Sequence, residues 1–409
     1  MIAGNGTKMK DRWNIVGCVL FCFVVFGVQA QQQHPVNKKA WGLFQQARES
    51  FREGDKEKAL GLLLKAETFD QGFSPLYLLK ADIYNKKGDK IQEIRAIETA
   101  LALDSLKSHP YYYFILAEYY FDEADYGKAL AHYGRYLSWD KRLQVQAVAE
   151  RQMENCRFAL EALRTQTKQP PEVFYEAGCP VYWPALDVTG QTFLFTEQAG
   201  EQETMWMLQG DRRYALNFSG RENYGAPSLT ADGRMMYFSR ENGRNSFDIY
   251  VAYRLSDTSW SEPVNLGAPV NTDGWEAQPA VSADGTRLYF ASTREGGRGG
   301  SDIWFSYLLR READGRQLWS QPRCLYFNTG GDEMAPFLYF DNKTLFFASD
   351  GYAGMGRKDI YKVDVEQVTP PLNIGITVNT QRDEFGFMVD ASGQWGYFSS
   401  DISGKRCIY

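Results

Sequence analysis

The side chains best suited to chemistry recur at equal spacing in the second half of the chain. Each copy is an Asn-Thr pair followed, four residues after the Thr, by a Glu. The three copies are Asn271-Thr272 with Glu276, Asn328-Thr329 with Glu333, and Asn379-Thr380 with Glu384. Three carboxylates on equivalent connectors could ring one opening and grip a cation or a basic peptide. Alternatively, Asn and Thr cap backbone groups of a recurring loop and Glu solvates it, and the pattern favours this structural role.

The remaining candidates for catalysis are weaker. Aspartates that repeat in register are typical of hydrogen-bond anchors at strand starts, and they stand at Asp248, Asp302 and Asp359. The glycine-rich run 296–300 joins two predicted strands with no helix N-terminus behind it, which indicates a hairpin loop and not a phosphate cradle. A Ser-His-Asp hydrolase needs a histidine near its serine, but His34, His109 and His132 all precede residue 172. The sequence predicts no catalytic residues, metal or cofactor.

Composition and the amino terminus restrict the class of protein. The chain has 409 residues and a net charge of −6, with no Lys/Arg block that would suggest nucleic acid or anionic lipid. Basic residues between Lys8 and Arg12 precede an apolar run at 15–28, which ends in Val28-Gln29-Ala30. This order predicts a secretory signal peptide over residues 1–30, with an uncleaved membrane anchor as the alternative.

Residues 37–165 have a helical period that itself repeats. Three segments superimpose, and their first alanines are 34 and 36 residues apart. They are ARESFREGDKEKAL (47–60), ADIYNKKGDKIQEI (81–94) and AEYYFDEADYGKAL (117–130). Gly54-Asp55 and Gly88-Asp89 are expected to end one helix and cap the next. The pattern resembles the tetratricopeptide repeat (TPR), a helix–turn–helix unit that stacks into a solenoid. Residues 142–165 are predicted to form the helix that caps the last repeat.

The resemblance to TPR proteins implies a concave groove that binds a partner. Its candidate partner-binding residues are Trp41, Arg48, Asp82, Asn85, Tyr111 and Glu118. The alternative is that these side chains only solvate an inert spacer.

After a polar linker at 166–171, the apolar period changes from helical to two. One segment of this region occurs twice in closely similar form, as PSLTADGRMMYFSRENGRNSFDIY (227–250) and PAVSADGTRLYFASTREGGRGGSDIW (279–304). Weaker copies lie on both sides of this pair. Aligned aromatics at intervals of 43 to 57 residues are Phe195, Phe238, Phe290, Phe347 and Phe398. Repeats of this length built from strands and tight Asp-Gly turns predict an all-β propeller of about five blades. We therefore expect a multidomain α+β protein.

The signature Ser-x-Asp-Gly-x-x-Leu-Tyr-Phe followed by Asp-Ile-Tyr resembles the WD40-like repeat of the TolB type. The resemblance covers residues 172–409 and implies a TolB-like β-propeller. The last copy departs from it, because Cys407 replaces the repeating Asp and the outer strand is missing. Residues 172–175 could supply that strand and close the ring, and a Cys179–Cys407 disulfide could lock it.

A signal peptide, TPR units and a TolB-like propeller together resemble the front half of envelope proteins that continue into an OmpA-like peptidoglycan-binding domain, including a component of type IX secretion. The resemblance implies a non-catalytic periplasmic scaffold, associated with the outer membrane, whose partners are other envelope proteins, an outer-membrane protein among the candidates. Direct peptidoglycan binding is not carried over, since the printed sequence has no OmpA-like segment; whether it is a natural short form or a truncation stays open. The alternatives are a carbohydrate- or peptide-active propeller enzyme and a propeller that senses a small ligand.

Overall fold

The computed structural model describes residues 36–103, 110–139, 145–167, 169–243, 246–312 and 315–409. The chain divides into two compact units, with the boundary between Arg157 and Phe158. The first unit is helical and the second consists mainly of antiparallel strands, as the change of apolar period predicted. The predicted signal peptide at 1–30, together with His34 and His109, lies outside the described residues.

Helices pair in sequence order through the amino-terminal part of the described chain. Their bounds are α1 Lys38–Arg52, α2 Lys56–Phe69, α3 Ser74–Lys87, α4 Lys90–Leu103, α5 Tyr111–Asp122, α6 Tyr126–Leu137 and α7 Gln146–Thr165. The pairs α1–α2, α3–α4 and α5–α6 pack together as three helix–turn–helix units. Helix α7 follows the third pair, and it continues past the boundary between the units.

The turns of the first two helix pairs are made by the residues that the repeat predicted. The Asp55 side chain accepts the Lys58 N–H at 3.0 Å and so caps α2. Gly88 ends α3 in the left-handed conformation with φ of +77°. The third unit uses Ala124 at this place, with φ of +58°, a conformation that costs an L-residue energy. The aligned small residues Ala47, Ala81 and Ala117 are all buried, which lets paired helices approach closely.

Five small antiparallel sheets follow, and each is one blade of a propeller. Their strands are β1 Val181–Leu186, β2 Phe193–Ala199, β3 Gln202–Gln209 and β4 Arg212–Ala215 in blade one; β5 Tyr224–Leu229, β6 Met235–Glu241, β7 Phe247–Tyr253 and β8 Val264–Asn265 in blade two; β9 Glu276–Val281, β10 Arg287–Ser292, β11 Asp302–Arg311, β12 Gln317–Trp319 and β13 Arg323–Cys324 in blade three; β14 Glu333–Leu338, β15 Thr344–Ser349, β16 Asp359–Asp364 and β17 Leu372–Asn373 in blade four; and β18 Phe385–Val389, β19 Gly396–Ser400 and β20 Cys407–Ile408 in blade five. The strands of each blade run in sequence order, except that β12 and β13 both pair with β11. The first strand of every blade contacts its counterparts in the neighbouring blades.

The predicted aromatics fill the space between blades. Phe195, Phe238, Phe290 and Phe347 are fully buried, and Phe398 nearly so. This burial explains why β2 and its counterparts favour large apolar side chains. The TPR units followed by a five-bladed propeller confirm the predicted fold class.

The ring closes through residues upstream of the first blade. Tyr175 pairs antiparallel with Ile408, and the Tyr175 N–H donates to the Ile408 carbonyl at 3.0 Å. Residues 172–175 therefore lie where the fifth blade lacks an outer strand, as predicted. The Cys179–Cys407 disulfide is wrong, because both cysteines are free thiols. Cys407 is buried beside Ser403, whereas Cys179 lies against Glu197 and Arg213.

Candidate functional site

The Asn-Thr…Glu loops join neighbouring blades. In the first copy, the Asn271 side chain accepts the Ile249 N–H at 2.8 Å and donates to the Ile249 carbonyl at 2.9 Å. The amide thus pairs with a strand of the preceding blade as a backbone would. Asn328 pairs with Ile303 and Asn379 with Ile360 in the same way. These asparagines bind one blade to the next.

The three glutamates of these loops are completely buried. In the third copy, Glu384 accepts hydrogen bonds from the Thr380 N–H at 3.0 Å, the Thr380 hydroxyl at 2.6 Å and the Ser400 hydroxyl at 2.9 Å. Glu276 and Glu333 accept from the equivalent groups. Each carboxylate therefore fixes its own connector to the second strand of its blade.

Charge compensation differs between the copies. The Arg294 guanidinium lies 3.2 Å from Glu276 and stacks on the rings of Phe290 and Trp304. Among the described residues, neither Glu333 nor Glu384 forms an ion pair with such a cation. Burial raises the pKa of Glu384 to about 8, with the Asp359 charge adding to the rise, and burial also raises the pKa of Glu333.

The structure thus places the three glutamates in equivalent positions, but their hydrogen bonds serve the loops. The expectation that Glu solvates the loop is wrong, since all three side chains have no exposed surface. Capping by Asn and Thr is confirmed. Gripping a cation or basic peptide at a channel mouth stays a prediction that this hydrogen-bonding pattern does not favour.

The repeating aspartates anchor the loops that precede the third strands. Asp359 accepts the N–H groups of Met355 and Gly356 at 2.7 and 2.9 Å and the Asn373 side-chain amide at 2.7 Å. Its burial raises its pKa to about 6. Asp302 holds the glycine-rich loop in the same manner, through the N–H groups of Arg298 and Gly299. The run 296–300 is therefore a loop between strands that is fixed by Asp302.

A central channel, not singled out from the sequence, is walled by the first strands of all five blades. It encloses a cavity of about 60 Å³. The wall includes Pro184, Pro227, Pro279 and Pro336, which stand at equal positions in four blades. The residue before each proline has a positive φ and lies in a β-bulge; these residues are Trp183, Ala226, Gln278 and Ala335. Gly386 takes the equivalent position in blade five. The evenly placed prolines were the sequence signal for this wall.

The bulges connect adjacent blades around the channel. The N–H groups of Trp183, Ala226 and Gln278 donate to a hydroxyl on the second strand of the preceding blade, at 2.8 to 3.1 Å. In blade three, Ala291 stands where blades one, two and five have this hydroxyl-bearing residue. At the junction between blades three and four, the Gln278 side chain accepts the Ala335 N–H at 2.8 Å instead. These bonds join the channel wall across four of the five blade junctions.

The TPR candidates do not form one cluster of free side chains. Trp41 packs on Phe44 and Phe73 and belongs to the helical core. The Arg48 guanidinium lies over the Phe44 ring and donates to Gln45 at 3.3 Å. These contacts are intramolecular packing, and the partner-binding role of both residues stays a prediction.

The other four TPR candidates lie around two tyrosine–carboxylate contacts. The Tyr112 hydroxyl donates to Asp82 at 3.5 Å, and the Tyr133 hydroxyl donates to Glu118 at 2.5 Å. Burial raises the pKa of Asp82 to about 7. Tyr111 stacks on Phe114, and the exposed Asn85 donates to the buried Glu93 at 3.1 Å. Asn85 is the one exposed residue of these four, and the partner-binding role of all four stays a prediction.

No group of three His, Cys, Asp or Glu side chains able to hold a metal ion occurs in the part of the chain that the structure describes. Among the helices between residues 36 and 167, none has the length and apolar character needed to cross a bilayer.

Comparisons with known proteins find similarity only among solved structures. No protein-family model and no curated protein matches the sequence. Among solved structures, the chain is similar to TolB from Acinetobacter baumannii, with 16% identity and a TM-score of 0.35 over 57% of this chain and 55% of that one. It is similar to the Sgt2 TPR domain from Aspergillus fumigatus, with 16% identity and a TM-score of 0.25 over 36% and 97% of the two chains. An α-L-arabinofuranosidase from Lactobacillus brevis is similar at 13% identity and a TM-score of 0.35, over 57% and 92%.

The match spans about half the length of the Acinetobacter TolB chain. The described part of the chain consists of paired helices followed by a five-bladed propeller.

Proposed function

We propose that this protein is a non-catalytic scaffold that holds other proteins of a cell envelope. The observation that carries the proposal is the use of the repeating polar side chains. Glu276, Glu333 and Glu384 are buried and accept bonds from their own blades, so they are not presented to a substrate. General acid–base catalysis needs such groups within hydrogen-bonding reach of a reacting atom.

The channel also favours binding at a surface over chemistry in a pocket. A cavity of about 60 Å³ is room for roughly four to six water molecules. Pockets that enclose small-molecule ligands measure about 300–1,000 Å³. A sugar or a peptide would therefore contact the rim of this channel and the blade surfaces around it.

The location of the scaffold is proposed from the sequence. The predicted signal peptide would export the chain to the periplasm. The order of TPR units and TolB-like propeller resembles the type IX secretion component PorE, and we propose an outer-membrane-associated assembly of this type, with an outer-membrane protein among the partners. The net charge of −6 and the absence of a basic block in the sequence do not favour nucleic acid.

Site-specific photocrosslinking in living cells tests the proposal. A photoreactive residue at Asn85, on the candidate TPR surface, is expected to capture one defined envelope protein. The same residue at Lys58, which is exposed on α2, is the matched control and should capture none. Equal capture from both positions, or from neither, would contradict the proposed role of the TPR surface.

The enzyme alternative is tested separately with purified protein. Cell-wall glycan and peptides are expected to remain intact during prolonged incubation. Turnover that follows the protein through purification, and that disappears after Gln278→Leu in the channel wall, would favour a propeller enzyme over the scaffold.

A further inference from the structure

The hairpin formed by β11 and β12 makes the outer part of blade three longer than that of blade two. β11 has ten residues, and its far end pairs with β12. In blade two, the equivalent return of the chain is a single bridge between Arg254 and Trp260. The longer hairpin is held against blade two, because the Tyr253 hydroxyl donates to the Gly315 carbonyl at 2.7 Å and accepts from the Gln317 amide at 3.2 Å. Its other face is turned to solvent.

The two faces of this hairpin differ in exposure. On the face toward blade two, Leu308 and Trp319 pair with each other and pack in the apolar core between the blades. Their neighbours in the chain point the opposite way, as alternation along a strand requires. These neighbours are 48% exposed at Tyr307, 61% at Leu309 and 41% at Leu318. We call these three side chains the hairpin face. Large apolar side chains grouped at a surface mark an interaction site.

Three exposed arginines surround the hairpin face: Arg310, Arg316 and Arg323. Arg310 lies opposite Leu318 in the strand pairing. Its contact with Glu312 is an exposed ion pair of little strength, so the guanidinium is available to another anion. Residues 307–323 contain four arginines and two acidic residues, in a chain whose net charge is −6. The hairpin thus gathers positive charge that no continuous basic block in the sequence indicates.

This chemistry fits the surface of an anionic lipid bilayer. Leucine enters the boundary of the acyl chains, tyrosine favours the membrane interface, and the guanidinium fork binds phosphate. We propose that the protein attaches to a membrane from one side through the hairpin face, with the surrounding arginines on the phosphate groups of anionic lipids.

A protein partner fits this surface less well. β12 has three residues and Pro322 follows soon after it, so the free edge offers little backbone to an added strand. A stable protein interface uses about 20–30 residues on each side, far more than the hairpin face and its arginines supply. A lipid surface needs only a few apolar side chains and nearby positive charge.

The attachment is reversible and depends on salt. The hairpin face buries less apolar surface than one myristoyl chain, which alone gives only marginal membrane binding. The arginines add an attraction that salt screens, since the Debye length falls from about 10 Å at 0.1 M salt to about 3 Å at 1 M. The net charge of −6 means that anionic lipids repel much of the remaining surface, and this repulsion turns the hairpin face toward the membrane.

Cosedimentation of the full chain with lipid vesicles tests the proposal. We expect binding to vesicles of phosphatidylglycerol and phosphatidylcholine in equal amounts at about 0.1 M salt, and much weaker binding at about 1 M salt or to phosphatidylcholine alone. Leu309→Ser should weaken the binding about 5- to 20-fold, because the 61% of this side chain that is exposed no longer enters the lipid. Ile91→Ser is the matched control: Ile91 is 59% exposed on α4, and its loss should change nothing.

Photocrosslinking to the same vesicles locates the contact. A photoreactive residue in place of Leu318 is expected to form lipid adducts, and one in place of Ile91 is not. Both chains carry the same apolar run at 15–28, so its own affinity for lipid does not produce the difference.

Four results would overturn the proposal. They are equal lipid adducts from the two positions, unchanged binding of Leu309→Ser, equal binding to charged and uncharged vesicles, and capture of a protein in place of lipid at Leu318 in living cells. None of them bears on the crosslinking test at Asn85, so the lipid contact and the proposed scaffold can fail separately.

Discussion

Arg294→Ile transfers to blade three the residue that blade five carries at the same position. Arg294 and Ile402 each stand two residues after the serine that donates to the buried glutamate, Ser292 in one blade and Ser400 in the other. Only 10% of the Arg294 side chain is exposed, and its guanidinium lies 3.2 Å from Glu276. The replacement keeps an apolar side chain against Phe290 and removes the charge.

We expect a large loss of stability at neutral pH. Removing one partner of a buried ion pair costs about 3–5 kcal/mol, because the other charge is left uncompensated. For a unit of this length, about 2–4 °C per kcal/mol converts this loss to a fall in melting temperature of about 6–20 °C. The hydrogen bonds from the guanidinium to the Pro269 and Val270 carbonyls are lost as well. We therefore expect a fall in melting temperature in the upper part of this range.

The loss should also depend on pH. Without Arg294, Glu276 is a buried carboxylate with no cation, like Glu384, whose pKa burial raises to about 8. An acid with a raised pKa keeps its proton in the folded state at a pH where the unfolded chain has released it. Stability then falls as pH rises above about 4.3, the ordinary value for glutamate in an unfolded chain. Arg294→Ile should therefore be nearer to the natural protein at pH 5 than at pH 8.

Chemical denaturation of the full chain at pH 5 and pH 8 measures both effects. Arg310→Ile is the matched control: Arg310 is 67% exposed in a pair with Glu312, and its loss should change stability by less than about 1 kcal/mol. The reasoning is refuted if Arg294→Ile differs from the natural protein no more than this control does, or if its defect is the same at both pH values.

Three further changes test other parts of the structure. The natural protein should lose stability as pH rises from about 4 to 8, by up to about 1.4 kcal/mol per pH unit for each proton that the folded chain keeps and the unfolded chain has released. Asp359 contributes to this loss up to its pKa of about 6 and Glu384 up to its pKa of about 8, and urea denaturation across this range measures it. Ala124→Gly should stabilise the helical unit by about 0.5–1 kcal/mol in thermal unfolding, because Ala124 has φ of +58°, and destabilisation would contradict the role of that turn. Asn373→Cys should cost about 1–3 kcal/mol by removing a donor to the buried Asp359, and an unchanged denaturation midpoint would count against a stabilising role of this hydrogen bond.

Repetition made the architecture predictable from the sequence. Period and turn chemistry are local properties, so Asp55 and Gly88 marked the helix ends, and the regularly spaced aromatics marked the blades. The role of Glu384 was harder to predict, because a glutamate in a polar connector usually faces water. Its burial depends on Thr380 and Ser400, which approach it only once the blade has folded. The disulfide prediction failed for a similar reason, since an even number of cysteines does not fix which side chains meet.

The exceptions to the repeat are therefore more informative about this protein than the repeat itself. A polar residue that recurs in every blade, such as the connector asparagine, is explained by the blade junction and gives little reason to infer a site. Arg294 and Gln278 each occupy a repeated position with a different side chain, and each changes the local hydrogen bonding: Arg294 neutralises a glutamate, and Gln278 replaces a missing hydroxyl. Both side chains compensate for a local deficit. Departures of this kind are where a protein's own requirements override the repeat, which is the physical reason to mutate them before any repeated residue.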